Sequence, residues 1–281
     1  MPAGVVNLLR HTHANTEGYA LRQAIQSVTA PTQVRSLAAR DYATTVLNAS
    51  PSGYWRLDEA SGSTAHDLTV NVRHGTYQSG TTQGVHGALQ SGGDNAVYRA
   101  TAGSTVDVAH ASAWNTLFTG AFTLECWTKV DTLENIYAAQ LIRKGTVGTN
   151  DAVALYLSGS AAPMTGPARP GQIHLWAGLN QTGGGAVWTL LSNYSPAITL
   201  GGWHHVAATY SSTAGGTIYL DGVANTTLGP QQLGTLNITN TSVLQFGSVQ
   251  ATSSLDEVAL YNTILSAATI QNHADANLML C

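Results

Sequence analysis

Two pairs of adjacent acids, Asp58-Glu59 and Asp256-Glu257, are the residues best suited by type to acid–base chemistry. Hydrolysis of a glycosidic bond needs two carboxyl groups held roughly 5–9.5 Å apart across the substrate. Neighbouring residues of a strand point to opposite faces of a sheet, so the members of each pair are expected on opposite faces, unable to cooperate. Glu125 and Asp131 stand too far apart along one segment to act together. A G-x-S-x-G nucleophile elbow is missing as well. The acids therefore predict a protein that is not an enzyme.

Aromatic and amide side chains point to binding instead. The polar-phase residues of the central apolar runs are Glu125, Trp127 and Lys129, then Tyr156, His174, Trp176 and Gln245. If those runs are neighbours in one sheet, Trp127, Tyr156, His174, Trp176 and Gln245 form a single aromatic, hydrogen-bonding face suited to a glycan. The competing reading is that Trp127 and Trp176 fill core under loops, since large aromatics are mostly buried. His11-Thr12-His13 offers a second comparison. Three such pairs around a threefold axis would supply an octahedral metal, whereas the plain reading is two polar residues of an arm.

The elements that must position these residues are strands. Charged residues are 9% of the 281, and lysine occurs only as Lys129 and Lys144. That scarcity of good helix formers argues against a helical bundle. The 43% of hydrophobic residues suffices for a core and rules out disorder throughout. From Gly53 onward, short alternating runs such as Phe122–Val130, His204–Tyr210 and Leu255–Tyr261 are separated by turn clusters, among them an Asp221-Gly222 hairpin signal. The fold class expected is all-β, an antiparallel two-sheet sandwich. Short helices are expected at Asp41–Ala49, stopped by Pro51, and at Ser266–Asp275. Residues 1–45 read as an extended and partly helical arm, and 46–281 as the domain.

Cys126 and Cys281 cannot make a disulfide framework, and no Cys/His cluster suggests structural zinc. No apolar run is long enough for a membrane span, and the N-terminus lacks a secretory pattern, so synthesis and retention in a cytoplasm is the expectation. Net charge is −4: Arg10, Arg22, Arg35 and Arg40 against Glu17 give residues 1–40 a net of +3, which leaves −7 for the rest. A basic arm on an acidic body suggests that the arm meets something acidic. The body lacks the basic stripe of a nucleic-acid binder.

Four blocks occur in a telling order: Tyr54-Trp55-Arg56-Leu57-Asp58-Glu59 with His74-Gly75-Thr76-Tyr77; Phe122-Thr123-Leu124-Glu125-Cys126-Trp127; Gly202-Trp203-His204-His205-Val206 through Asp221-Gly222; and Leu255-Asp256-Glu257-Val258-Ala259-Leu260-Tyr261. Together they resemble a laminin-G-like, concanavalin A-like jelly-roll domain over about residues 50–276. The resemblance implies two curved sheets, the concave one presenting a binding face. It also implies calcium as a cofactor, with Asp256 where similar proteins place a calcium ligand and Asp58 and Asp94 assisting. The competing reading has Asp256 capping or pairing at a strand edge. The loop often read Phe-Asp-Gly is here Leu89-Gln90-Ser91-Gly92-Gly93-Asp94, one carboxylate poorer. The Glu-x-Asp-x-x-Glu spacing of related glucanases is absent.

The segment Asp41–Leu47 running into Ser52–Leu57 also resembles the approach to such domains in bacteriophage tail and surface proteins. That implies a virion structural protein, a capsid decoration or minor tail protein, assembled in the host cytoplasm and displayed on the particle surface. Residues 1–45 would dock on other virion proteins, the domain would adhere weakly to glycans, and by analogy the protein would be a homo-oligomer such as a trimer. The alternative is a non-catalytic glycan-binding module of a bacterial surface or secreted protein.

Overall fold

The computed structural model describes residues 42–89, 94–99, 104–133, 138–145, 153–159, 170–180, 186–190, 195–225, 240–247 and 251–276. The expectations for residues 1–41 of the arm, including His11, His13 and its helical part before residue 41, lie outside these residues. In chain order the strands are β1 (Gly53–Trp55), β2 (Thr64–Ala65), β3 (Gly75–Tyr77), β4 (Thr81–His86), β5 (Asn95–Arg99), β6 (Val106–Val108), β7 (Phe122–Leu133) and β8 (Ala138–Lys144). They continue with β9 (Val153–Ser158), β10 (Ile173–Asn180), β11 (Ala186–Leu190), β12 (Trp203–Ser211), β13 (Gly215–Leu220), β14 (Val223–Ala224), β15 (Leu244–Phe246) and β16 (Ala251–Tyr261). The helices are α1 (42–48), α2 (Ser112–Thr119) and α3 (Ala267–Asp275).

The strands make two antiparallel sheets. One runs β14-β13-β12-β7-β16-β5-β4, with β1 also paired to β16; the other runs β11-β10-β9-β8-β15-β6-β3-β2. Alternation sends Val206, Ala208 and Tyr210 of β12, Leu124 and Cys126 of β7, and Leu255 and Leu260 of β16 into the space between the sheets. The second sheet answers with Leu155, Leu157, Leu175, Leu244 and Phe246. Trp55 anchors this core, its ring 4.8 Å from Phe246 and 5.9 Å from Trp114 of α2. Ile218 faces the core and Tyr219 faces away, as the alternation predicts. The Asp221-Gly222 turn has φ of 51° and 78°, the double left-handed geometry that a tight hairpin requires.

A second apolar layer lies on the outer face of the first sheet. Tyr42 and Val46 of α1 and Ile270 of α3 close over Tyr54, Trp127, Ala207, Tyr219 and Tyr261. Ser266 caps α3 by accepting a bond from the Thr269 amide at 3.1 Å. Since Tyr42 is 1% exposed, α1 belongs to the sandwich, and the boundary expected between residues 45 and 46 falls inside it.

Candidate functional site

The outer face of the second sheet carries the polar and aromatic side chains. Cross-strand partners share a face, and here they form one row: Thr64, Thr76, Asp107, Gln245, Arg143, Ala154 and Trp176. Gln245 donates to Asp107 Oδ1 at 2.8 Å and accepts from Arg143 Nη2. Beside this row, Tyr156 lies opposite His174. Their rings stack at 4.9 Å and 8°, and Trp176 stands 6.2 Å from Tyr156 at 59°. His174 is buried and shares a 2.6 Å hydrogen bond with Ser158 Oγ, so it orients the half-exposed Tyr156 from below. Asp107, Gln245, Arg143, Tyr156 and Trp176 are each half-buried in the face of the sheet.

Tyr156, His174, Trp176 and Gln245 thus meet on one sheet, but Trp127 does not join them. It lies on β7, which pairs with β12 and β16 in the other sheet. Its side chain is 5% exposed and its Nε1 donates to the Tyr42 hydroxyl at 2.9 Å under the helical roof. Alternation reports which phase of a strand is polar, not which sheet the strand joins.

Glu125, on the same face as Trp127, is wholly buried. It accepts from the Tyr261 hydroxyl at 2.5 Å and from His273 Nδ1 of α3 at 3.0 Å, with His205 Nε2 at 3.5 Å. Burial alone would raise its carboxyl. The hydrogen bonds from His205 and His273 outweigh that and bring it down to about 2. This group fastens α3 to the sheet.

The expectation that Asp256 and Glu257 diverge is overturned. Between Asp256, opposite Trp127, and Ala259, opposite Glu125, β16 carries one extra residue, and Glu257 sits at φ 51°. This bulge cancels the alternation and brings the carboxylates of Asp94, Asp256 and Glu257 within 4.8 Å of one another. Arg56 holds the group together: Nε to Glu257 at 2.9 Å, Nη2 to Asp94 at 2.9 Å and Nη1 to Asp58 at 2.7 Å. Of the three acids of the calcium expectation, Asp94 and Asp256 are neighbours, and Asp58 joins them only through Arg56. The donor set does not fit calcium, however. That ion takes 6–8 oxygens. Three oxygens are spent on Arg56, and others on the Tyr54 hydroxyl, the Ala88 amide and the Leu89 amide. Among the oxygens of the buried Asp94, Asp256 and Glu257, only Asp256 Oδ1 lacks a partner. A guanidinium occupies the place where a divalent ion would balance the charge. Arg56 and Glu257 were missed in the sequence because nothing in the Asp-Glu pair announces a bulge.

This cluster sets a pH dependence. Burial, then the charges of Asp94 and Glu257, raise Asp256 well above the usual range; burial also raises Asp94, and pushes Glu257 up to about 8. Protons held in the folded state but released by the unfolded chain stabilise fully below about pH 4 and are lost as pH rises toward 8. Glu125 has the opposite sign: its contribution is complete above about pH 4.3 and is lost as pH falls toward 2. Calorimetry across pH is expected to show the melting temperature highest at mildly acidic pH and falling between pH 5 and 8. Asp256→Asn should flatten that fall; a melting temperature level from pH 5 to 8 in the unaltered protein would contradict it.

The family model described as the concanavalin A-like lectin/glucanases superfamily matches residues 99–271. Curated proteins give no match. Among solved structures, the chain is similar to a Trypanosoma rangeli sialidase in complex with 2,3-difluoro-KDN, with TM-score 0.55 and 17% identity over 83% of this chain and 33% of that one. It is also similar to the binding domain of Paraclostridial Mosquitocidal Protein 1, with TM-score 0.57 and 14% identity over 81% of this chain and 52% of that one. The receptor binding domain of a botulinum neurotoxin C/D mosaic serotype aligns with TM-score 0.58 and 12% identity over 83% of this chain and 52% of that one. The chain thus spans a third of the sialidase and about half of each toxin domain, and at these identities the likeness is one of fold.

Proposed function

The chain belongs to the concanavalin A-like lectin/glucanase superfamily, and from that premise we propose that it is a non-catalytic carbohydrate-binding domain whose contact surface is the outer face of the second sheet. The observation that carries this reading is the strip of Tyr156, Trp176, Arg143, Gln245 and Asp107, which sets two half-buried aromatic rings beside a guanidinium, an amide and a carboxylate. Such a surface combines apolar area with a few convergent polar groups, as saccharide recognition needs. The corresponding face of the first sheet is roofed by α1 and α3. The converged carboxylates of Asp94, Asp256 and Glu257 are sealed from solvent, and those of Asp94 and Glu257 are committed to Arg56, which supports binding over catalysis.

The test is a glycan array probed with the full chain, followed by calorimetry on the saccharides it selects. Trp176→Ala and Tyr156→Ala are each expected to weaken binding at least tenfold, about 1.4 kcal/mol, without moving the melting temperature more than a few degrees. Trp127→Phe should leave the affinity unchanged. An array with no saccharide retained, or affinities indifferent to both aromatic changes, would remove the reading.

For the setting, the proposal is the surface of a bacteriophage particle, with residues 1–40 docked on capsid or tail proteins and the sandwich facing outward. Support comes from the likeness of residues 41–57 to the approach segments of such domains and from the +3 charge of residues 1–40 against −7 in the remainder. Particles that retain the protein after residues 1–40 are deleted would overturn this placement.

A further inference from the structure

A cleft of about 400 Å³ opens where the loop after β2 meets α2 and the end of β16, and it shares no residue with the aromatic strip of the second sheet. Asn71, Arg73, Ser112, Trp114, Thr116 and Asn262 are among its lining residues, and no acid is. Its size falls in the usual range for small-ligand sites, enough for one sugar ring.

Arg73 is held in this cleft with unusual care for a loop residue. Its amide donates to Asp67 Oδ2 at 2.8 Å, and its carbonyl accepts from Trp55 Nε1 at 3.0 Å. Its guanidinium carbon lies 5.0 Å from the centre of the Trp114 ring. The buried Asp67 carboxylate also takes the Tyr54 amide, the Thr69 amide and the Thr69 hydroxyl, so the loop is tied to β1 and to itself. Within it, Val72 adopts φ 52°, a conformation that a β-branched residue keeps only when its surroundings impose it. Asn71 Nδ2 donates to the Ser52 carbonyl at 3.0 Å at the same rim.

The charge is what gives this arrangement a direction. Elsewhere among the described residues Arg56 is matched by three carboxylates. Among the described residues Arg73 has none within ion-pair distance, and its one side-chain hydrogen bond there is a long 3.4 Å contact from Nη1 to the Ser52 carbonyl. A planar guanidinium backed by an indole, with amides and hydroxyls around it, is the donor set for a carboxylate on a polyhydroxylated ring.

The geometry points to a second saccharide site, in which Arg73 takes the carboxylate of an acidic monosaccharide and Asn71, Ser112, Thr116 and Asn262 take its hydroxyls. Trp114 is the flat support behind Arg73. This site stands independently of the aromatic strip and survives the failure of that reading.

The experiment is ligand-observed saturation-transfer NMR on the full chain with sodium glucuronate, its neutral methyl ester, glucose and sodium sulfate as probes. Glucuronate is expected to bind at least tenfold more tightly than its methyl ester or glucose. Arg73→Gln should abolish that preference and Arg73→Lys should retain part of it, while Trp176→Ala leaves it unchanged. Circular dichroism checks that each variant is folded. Should Arg73→Gln fail to fold, Asn262→Leu narrows the same cleft without touching the Asp67 loop and is expected to weaken glucuronate at least tenfold. Equal binding of acid and ester, binding indifferent to both the Arg73 and Asn262 changes, or displacement of glucuronate by an equal concentration of sulfate would each overturn the proposal.

Discussion

Arg56→Met is expected to cost about 3–5 kcal/mol at pH 7, the range measured when one partner of a buried ion pair is removed. The guanidinium is the cation shared by Glu257, Asp94 and Asp58, and the first two have fully buried side chains. Without it their carboxylates face one another and Asp256 with nothing to offset desolvation. Denaturant titration measures the loss. The cost should shrink as pH falls below about 8, the range to which burial raises Glu257, because protonated carboxyls no longer need a cation. Arg56→Met with Glu257→Gln should recover part of it at pH 7. If Arg56 already serves as the cation of this cluster, added calcium leaves the melting temperature of the unaltered protein where it was, and a chelator does the same. A rise of several degrees with calcium would show that the guanidinium yields its place.

Removing residues 1–45 is expected to damage the domain that the cut was meant to isolate. The fragment 46–281 loses Tyr42, a fully buried ring whose hydroxyl accepts from Trp127 Nε1. Deleting a large buried side chain costs about 3–5 kcal/mol, and the stranded indole N–H adds to it. The melting temperature should fall by roughly 10 °C, while a fragment starting at Asp41 keeps that of the full chain. Differential scanning calorimetry on the three proteins decides this. An unchanged midpoint for 46–281 would mean that α1 adds nothing to the roof. The fragment 41–281 is then the right comparison for light scattering: a full chain that oligomerises beside a monomeric 41–281 would assign self-association to residues 1–40.

Much of the architecture was legible because it follows from alternation and turn chemistry. The Asp221-Gly222 hairpin, the inward phase of β12 and the capped helix after Ser266 all stand where local rules put them. Trp127 and the Asp256-Glu257 pair were misplaced for two different reasons. Sheet membership is decided by pairing between residues far apart in sequence, such as Trp127 with His205, and periodicity carries no such information. A bulge breaks periodicity itself, and Glu257 is neither glycine nor asparagine, so nothing in its type signals a left-handed backbone. Tyr42 was missed as a roof residue because the same helical face serves an arm and a domain equally well until the sheet beneath it is known.

The position of β16 has a consequence for the birth of the protein. It lies between β7 and β5 and also pairs with β1, so residue 53 meets residue 260 and residue 97 meets residue 255. During synthesis the first sheet stays in three separate pieces, β14-β13-β12-β7, β5-β4 and β1, until this strand leaves the ribosome, close to the end of the described chain. Until then Arg56 lacks Glu257, and the edge of β7 is open to any passing strand. Cells that make this protein are expected to hold it on a chaperone until that last strand arrives, and a chain stalled before residue 251 should aggregate where the full-length product does not.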